Sequence, residues 1–365
     1  MTAALWAERA LIAHDAMRRQ FGRSGGLYGR DGRLHLPGAV AHLWPFERAL
    51  VATLDVAGVP AGLRAGFDVD HAVTRDLGAL ERYWRPERRP PGYSSDARHT
   101  RFGGDVYYDD NAWAGLALIQ LERLRPGGGW LGRAGELFSL AVSGWDHRTD
   151  APSPGGVFWV TQGTGLGVRN HDRNTVSSAP NAELGLHLEE LTGATPRGSG
   201  PGAREMIAWV EGSLHDGAGL YWDKIRGDGT IDRARWSYNQ GSMVGAQVLL
   251  ARLGDDPGRR LTRAATIARA ALDHYAGGYE LQPPAFNAIF FRNLLLLHHA
   301  SDDSELRSRI LDAIGDYADR AWAQWRDRRG RFARPGQPPT LLDQSAIVST
   351  SALLAWAPED YVKLA

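Results

Sequence analysis

Along most of this chain, apolar residues recur at the three- and four-residue spacing of an α-helix. Helix-period segments cover residues 3–20, 42–56, 75–83, 110–124, 131–145, 179–191, 202–214, 238–252, 261–275, 286–299, 304–325 and 342–356. Gly, Pro or Asn/Asp clusters separate most of them, as helix stops should. Strand-like alternation is scarce, and the best candidate is "GGVFWVT" at 155–161. The pattern predicts about a dozen helices, with no convincing tandem repeat and no composition break. A single domain over residues 1–365 is the expectation.

The predicted helices are of two kinds. "AWAGLALIQL" at 112–121 has only Gln120 as a polar side chain, and "NAIFFRNLLLL" at 287–297 is similar. Helices apolar all round belong inside a protein. Segment 304–325 carries many charges and one apolar stripe of Leu306, Ile310, Ile314 and Tyr317, the mark of an outer helix. An inner ring wrapped by an outer ring is an all-α (α/α)6 toroid, with the inner ring lining a cleft. An irregular helical array is the alternative that periodicity alone leaves open.

Charge and cysteine content narrow the function. Lys plus Arg equals Asp plus Glu at 42 each, so nucleic acid and anionic membrane are not expected as partners. With no cysteine there is neither a disulfide framework nor a thiolate metal site, and no metal or cofactor is expected. The N-terminus lacks the unbroken apolar core of a signal peptide, and no run of about 18 apolar residues appears. A cytoplasmic monomer is expected, or a secreted protein if a leader has been removed. Thirteen Trp, eleven Tyr and ten Phe, many near loops or helix ends, suit a sugar site, because a pyranose face stacks on a ring. For any single Trp, core filling is the simpler reading.

"DVYYDDNAWAG" at 105–115 carries two adjacent carboxylates, Asp109 and Asp110, where a helix opens. Neighbours on a helix point about 100° apart, so a shared cleft is easiest if Asp109 is the N-cap and Asp110 the first helical residue. Capping and dipole compensation explain such a pair without any catalysis. The catalytic reading makes a sharper demand. A retaining glycosidase holds its carboxyl groups about 5–5.5 Å apart and an inverting one about 6.5–9.5 Å. Adjacent residues, with Cα atoms about 3.8 Å apart, reach the shorter distance readily. One ionised Asp then keeps its neighbour protonated, which divides the roles of nucleophile and acid.

The stretch "YYDDNAW" resembles the signature of glycoside hydrolase family 76, the bacterial α-1,6-mannanase family. "PGGVFW" at 154–159, "RNTVSSAPNAELGLHL", "GLYWDKI" at 219–225, "WSYNQGSMVGA" at 236–246 and "FNAIFFRNL" at 286–294 are similar to its later blocks, in order. The likeness spans roughly residues 100–300. It implies an (α/α)6 barrel, Asp109 as nucleophile and Asp110 as general acid/base. It also implies substrate contacts from Tyr108 and Asn111 beside the pair, and from Trp159, Asp223, Tyr238, Asn239, Gln240 and Arg292. The implied activity is retaining cleavage of α-1,6-mannosidic linkages in a mannose-containing oligo- or polysaccharide. The sequence departs from the family at Ala114, where a second aromatic is usual, and at Asn287-Ala288, where Lys-Gly is usual.

Other features read as ordinary. "GTGLG" at 163–167 lacks the spacing and setting of a phosphate loop. His298 and His299 point to different faces of an apolar helix, and His171 with Asp172 sits in a polar loop. The basic run 85–101 reads as a surface loop or as one wall of the cleft, since it leads into the pair. Three other functions fit a helical toroid. A sugar epimerase would need cleft-facing bases, for which His187, His215 and His274 are candidates. A non-hydrolytic glycan-binding protein and a transglycosylase are the others.

Overall fold

The computed structural model describes residues 1–30, 40–97, 103–196 and 201–365. Twelve α-helices account for most of them: α1 (Ala3–Phe21), α2 (Leu43–Gly58), α3 (Val69–Leu80), α4 (Tyr108–Leu124), α5 (Trp130–Ser143), α6 (Thr175–Thr192), α7 (Ala203–Ser213), α8 (Ser237–Arg252), α9 (Pro257–Tyr275), α10 (Pro284–Ala300), α11 (Ser304–Gln324) and α12 (Leu341–Leu353). The even-numbered helices touch in the cyclic order α2, α4, α6, α8, α10, α12 and back to α2. The odd-numbered helices pack outside this ring. This is the (α/α)6 toroid that the periodicity predicts. Among the described residues, no helix is long and apolar enough to cross a membrane.

The two helix classes follow from burial. On α4 every residue from Asn111 to Glu122 is buried, and α8 and α12 are buried almost throughout. On α11 only Leu306, Ile310, Ile314, Tyr317, Ala318 and Ala321 are buried, which is one stripe at helical period. Buried side chains from all twelve helices join one continuous hydrophobic cluster. The ring is tight where small residues face each other. A Cβ on Gly241 of α8 would lie 2.7 Å from the Cα of Phe290 on α10, so only glycine allows this approach.

One device repeats around the ring, although no sequence repeat announces it. On five of the six inner helices, all but α2, the fourth residue is polar and latches the loop that leads into that helix. On α4, Asn111 accepts from the Tyr93 N–H at 2.7 Å and donates to its carbonyl at 2.9 Å. On α8, Gln240 does the same to Tyr221 at 2.8 and 2.9 Å. Gln344 of α12 accepts from the Phe332 N–H at 2.9 Å, Asn287 of α10 donates to the Tyr279 carbonyl at 2.8 Å, and Ser178 of α6 accepts from the Val157 N–H at 3.1 Å. Each latch satisfies buried backbone groups that no sheet or helix would otherwise pair.

Several boundaries differ from the sequence expectation; α9, for example, starts at Pro257 rather than 261, and three other shifts follow from local structure. Helix α6 starts at Thr175 rather than 179, because Pro180 is accommodated inside it. Proline lacks the N–H that would reach the carbonyl of Val176, which is the kind of break that reads as a helix start. Helix α3 runs from Val69 to Leu80 and is capped by Asp68, which accepts from the His71 N–H at 2.9 Å. Helix α4 begins two residues earlier than expected. The extended chain is held up to Tyr107 by a bridge to Val160, and Tyr108 N–H donates to the Trp159 carbonyl at 3.0 Å. Tyr107 is therefore the N-cap, and Asp109 and Asp110 are the second and third helical residues.

Among the described residues, sheet is confined to two-residue strands in the loops at the helix N-terminal end of the ring. β1 (Trp84–Arg85) pairs with β2 (Gly92–Tyr93). β3 (Arg173–Asn174), β4 (Lys224–Ile225) and β5 (Ile231–Asp232) form a three-stranded antiparallel sheet in that order. The stretch 155–161 is extended and forms isolated bridges to Tyr107, Trp145 and Arg173 rather than a regular strand.

Candidate functional site

Because α2, α4, α6, α8, α10 and α12 form one ring, the loops entering them converge on one rim. A cleft of about 500 Å³ opens there. Asp109 and Asp110 lie in its wall, with Trp44, Tyr107, Trp113, Trp159, Tyr238 and Phe286 as its aromatic lining. Asp223, Lys224, Asn174, His42 and Ser95 add polar groups. The aromatic lining and convergent polar groups are what a sugar-binding cleft requires.

The two carboxyls of the pair have different surroundings. Asp109 Oδ1 accepts the Asp110 backbone N–H at 3.0 Å, and Asp109 Oδ2 accepts Trp159 Nε1–H at 3.0 Å. Burial pushes its carboxyl up to about 7, while these two donors pull the other way. Asp110 has no donor among the described hydrogen bonds. Burial first, then the charges of Asp109 and Glu47, hold its carboxyl well above the ordinary range, with Arg48 opposing. The pair titrates as a unit in which Asp110, without a donor and beside two carboxyls, is the less readily ionised member.

Trp159 is aimed by the glycine loop before it. Gly155 and Gly156 have φ of +100° and +84°, and a Cβ on either would run into Trp209. The loop then places the Trp159 ring against Tyr107, with centroids 4.9 Å apart. Across the cleft, Tyr238 stacks flat on Phe286 at 3.9 Å and an interplanar angle of 7°. Asp223 faces the pair's side of the cleft. Burial raises its carboxyl to about 6, opposed by Lys224 and by the amide of Asn239. Lys224 also pairs with Asp172 at 2.9 Å.

Of the ten site residues expected from the sequence, Asp109, Asp110, Trp159, Asp223 and Tyr238 line the cleft. Asn239 stands behind it, donating to Asp223 Oδ1 at 3.4 Å. The other four are turned into packing. Tyr108 is buried. Asn111 and Gln240 use their amides to latch Tyr93 and Tyr221. Arg292 is tied bidentately to Asp55 at 2.6 Å on both oxygens, inside the ring. None of these four is in the cleft lining.

The sequence reading missed Trp44, Tyr107, Trp113, Phe286, Lys224 and His42, all in the cleft lining. Trp113 was findable, since it lies three residues after Asp110 and so on the same helix face. Trp44 and His42 carried no such signal, because their place depends on α2 closing the ring beside α4. His187 is buried against Arg123, and neither it nor His215 nor His274 lines the cleft. Of the basic run, Ser95 lines the cleft, and residues 98–101 lie outside the described residues.

Comparison with known proteins agrees with this fold. The chain resembles the family 76 α-mannanase of Bacteroides thetaiotaomicron with 17% identity and a TM-score of 0.79, over 97% of this chain and 96% of that one. It also resembles an inactive α-1,6-mannanase of Salegentibacter sp. HEL1_6, carrying two Asp→Asn substitutions and bound to α-1,6-mannotriose. That likeness has 19% identity and a TM-score of 0.75 and covers 96% and 99% of the two chains. Dfg5 of Chaetomium thermophilum, in complex with glucosamine, matches with 16% identity and a TM-score of 0.66, over 96% and 90%. At these identities the likeness shows the fold. In sequence, the meiotically up-regulated gene 191 protein of Schizosaccharomyces pombe is 26% identical over 240 residues, 61% of this chain and 52% of that protein. The chain thus spans about half the length of that curated relative. The profile of glycosyl hydrolase family 76 matches residues 90–334, well over half of the chain, and the protein therefore belongs to that family.

Proposed function

We propose that this protein is a retaining glycosidase that cleaves α-1,6-mannosidic linkages through Asp109 and Asp110. The observation that carries the reading is the unequal support of the pair. Asp109 holds two hydrogen-bond donors and sits in the first turn of α4, where the helix dipole favours an anion. Asp110 has burial and two carboxylates against its ionisation. Asp109 is the nucleophile in this reading and Asp110 the acid.

In the first step an Asp109 oxygen attacks the anomeric carbon while Asp110 gives its proton to the glycosidic oxygen. The bond to the leaving sugar breaks, and a glycosyl ester forms on Asp109. That ester is neutral, so the repulsion that kept Asp110 protonated is gone and Asp110 remains ionised. It then takes a proton from a water that attacks the same carbon, the ester bond breaks, and the sugar leaves with its original anomeric configuration. Mannose and the α-1,6 linkage are supported by the family and by the ligand of the Salegentibacter structure. An NMR assay on α-1,6-manno-oligosaccharides tests the whole reading. The expected first product is the α-anomer, and a β-anomer or a lack of turnover overturns the proposal.

The pH dependence follows from the same asymmetry. Activity is expected to rise as Asp109 loses its proton, with an acid limb in kcat/KM near pH 7. It is expected to fall again at higher pH as Asp110 deprotonates. The two limbs belong to the pair as a unit. Trp159→Phe keeps an aromatic ring and removes the donor to Asp109 Oδ2. The ionised carboxylate loses support, so the acid limb is expected to move to higher pH. A limb that stays in place would mean that Trp159 does not tune the nucleophile.

A further inference from the structure

Behind the cleft wall lies a charged pair whose effect on Asp110 leaves its contact with two cleft tryptophans unexplained. Trp44, Glu47 and Arg48 stand at positions i, i+3 and i+4 of α2 and so share one face of that helix. Asp110 and Trp113, at i and i+3 of α4, share the facing surface. Arg48 fills the space between. Its guanidinium lies 5.3 Å from the centre of the Trp44 ring and 5.4 Å from that of Trp113. The same group grips Glu47 with two hydrogen bonds of 2.6 Å. Glu47 is fully buried and Arg48 is 7% exposed. Both tryptophans line the cleft, and Arg48 sits behind them.

We propose that Arg48, held by Glu47, is a positioning residue for substrate: it clamps Trp44 and Trp113 into the one arrangement that walls the sugar site beside Asp110. The inference rests on the reading of the cleft as a glycosidase site. The two rings are 6.2 Å apart at 43° and make no flat stack with each other. Their mutual contact alone leaves their tilt poorly fixed. A planar cation in contact with both rings fixes both at once, since each ring's negative face attracts it. The bidentate fork to Glu47 fixes the plane of the guanidinium in turn. Lysine, a compact charge on a flexible stem, can neutralise Glu47 but cannot form the fork or stack on two rings. A buried ion pair is weak as a stabilising device, so its position directly behind two cleft tryptophans points to orientation as its use.

Arg48→Lys is the test, with Glu47→Asp, which keeps the charge and shortens the reach of the fork, as its companion if the lysine variant does not fold. The expected result is a KM for α-1,6-manno-oligosaccharides raised about tenfold, equivalent to ~1.4 kcal/mol of lost binding, with kcat changed less than about threefold. Near-UV circular dichroism reads the Trp44–Trp113 arrangement without any sugar. It is expected to lose the same bands in Arg48→Lys as in Trp44→Phe, while far-UV dichroism is unchanged. Unaltered near-UV bands overturn the clamp whatever the substrate is. Altered bands with a wild-type KM overturn its role in substrate positioning. If the wild-type protein turns over no manno-oligosaccharide, the proposed substrate fails, and the dichroism still decides the clamp.

Discussion

Asp109→Asn is expected to lower kcat/KM roughly a hundredfold or more, and Asp110→Asn to do the same on natural linkages, without loss of the fold. Asparagine keeps the shape of each side chain, but at position 109 its single amide oxygen can accept only one of the two donors, the Asp110 N–H or Trp159 Nε1–H, and its NH2 faces the other. Stability should hold or rise in Asp110→Asn, which removes a buried acid and no hydrogen bond, and fall slightly in Asp109→Asn, where one buried donor is left facing the amide NH2. The two variants separate when the leaving group changes. An aryl mannoside with a good leaving group needs no proton, so in Asp110→Ala the ester still forms and then accumulates. Azide needs no general base and should restore turnover there, giving the α-azide. In Asp109→Ala azide can only replace the nucleophile, and the product should be the β-azide. An Asp109→Asn protein with undiminished activity would end the nucleophile assignment. The reverse pair of azide products would exchange the two roles.

Much of the toroid was legible in the sequence because each helix class has its own periodicity. Helix α11 shows one apolar stripe, whereas α4 and α10 are apolar on all sides, and burial follows both patterns. The pair Asp109 and Asp110 was legible as a motif, two like charges at a helix start, and both line the cleft. What the chain did not show was which polar residues face the cleft. Asn111 and Gln240 have the amide chemistry that suits sugar hydroxyls, but the same chemistry suits one backbone N–H and one carbonyl of an incoming loop. Only the recurrence of such a residue at the fourth position of successive inner helices reveals the latch, and that register is visible once the helix starts are known. Trp44 was hidden for another reason. Its neighbours Trp113 and Arg48 come together only when α2 packs on α4, a contact between segments about sixty residues apart in sequence. The boundary errors have local causes, a proline inside α6 and an extended bridge before α4.

Asp55→Ala is expected to destabilise the protein by about 3–5 kcal/mol, the range for removing one partner of a buried ion pair. Asp55 of α2 is fully buried, and Arg292 of α10 is 4% exposed. Asp55 accepts from Arg292 Nη2 at 2.6 Å on each oxygen and from Gln120 Nε2 at 2.8 Å, and Arg292 also donates to Gln120 Oε1. Three inner helices, α2, α4 and α10, thus meet in one network inside the ring. Alanine leaves the guanidinium buried with one amide oxygen for a partner. A midpoint drop on the order of 10 °C follows from that cost. The double variant Asp55→Leu with Arg292→Met removes both charges at similar volume and is expected to recover most of the loss. Denaturant unfolding of the single and double variants gives the comparison. Assays at low temperature add a second axis, because the network lies inside the ring while the cleft opens at its rim. The double variant should bind and cleave substrate as the wild type does. If it is stable but its KM is sharply raised, Arg292 reaches the sugar after all, and the role read from its pairing with Asp55 is wrong. If Asp55→Ala unfolds at the wild-type midpoint, the guanidinium has found water, and the interior of the ring is wetter than the packing of α2, α4 and α10 implies.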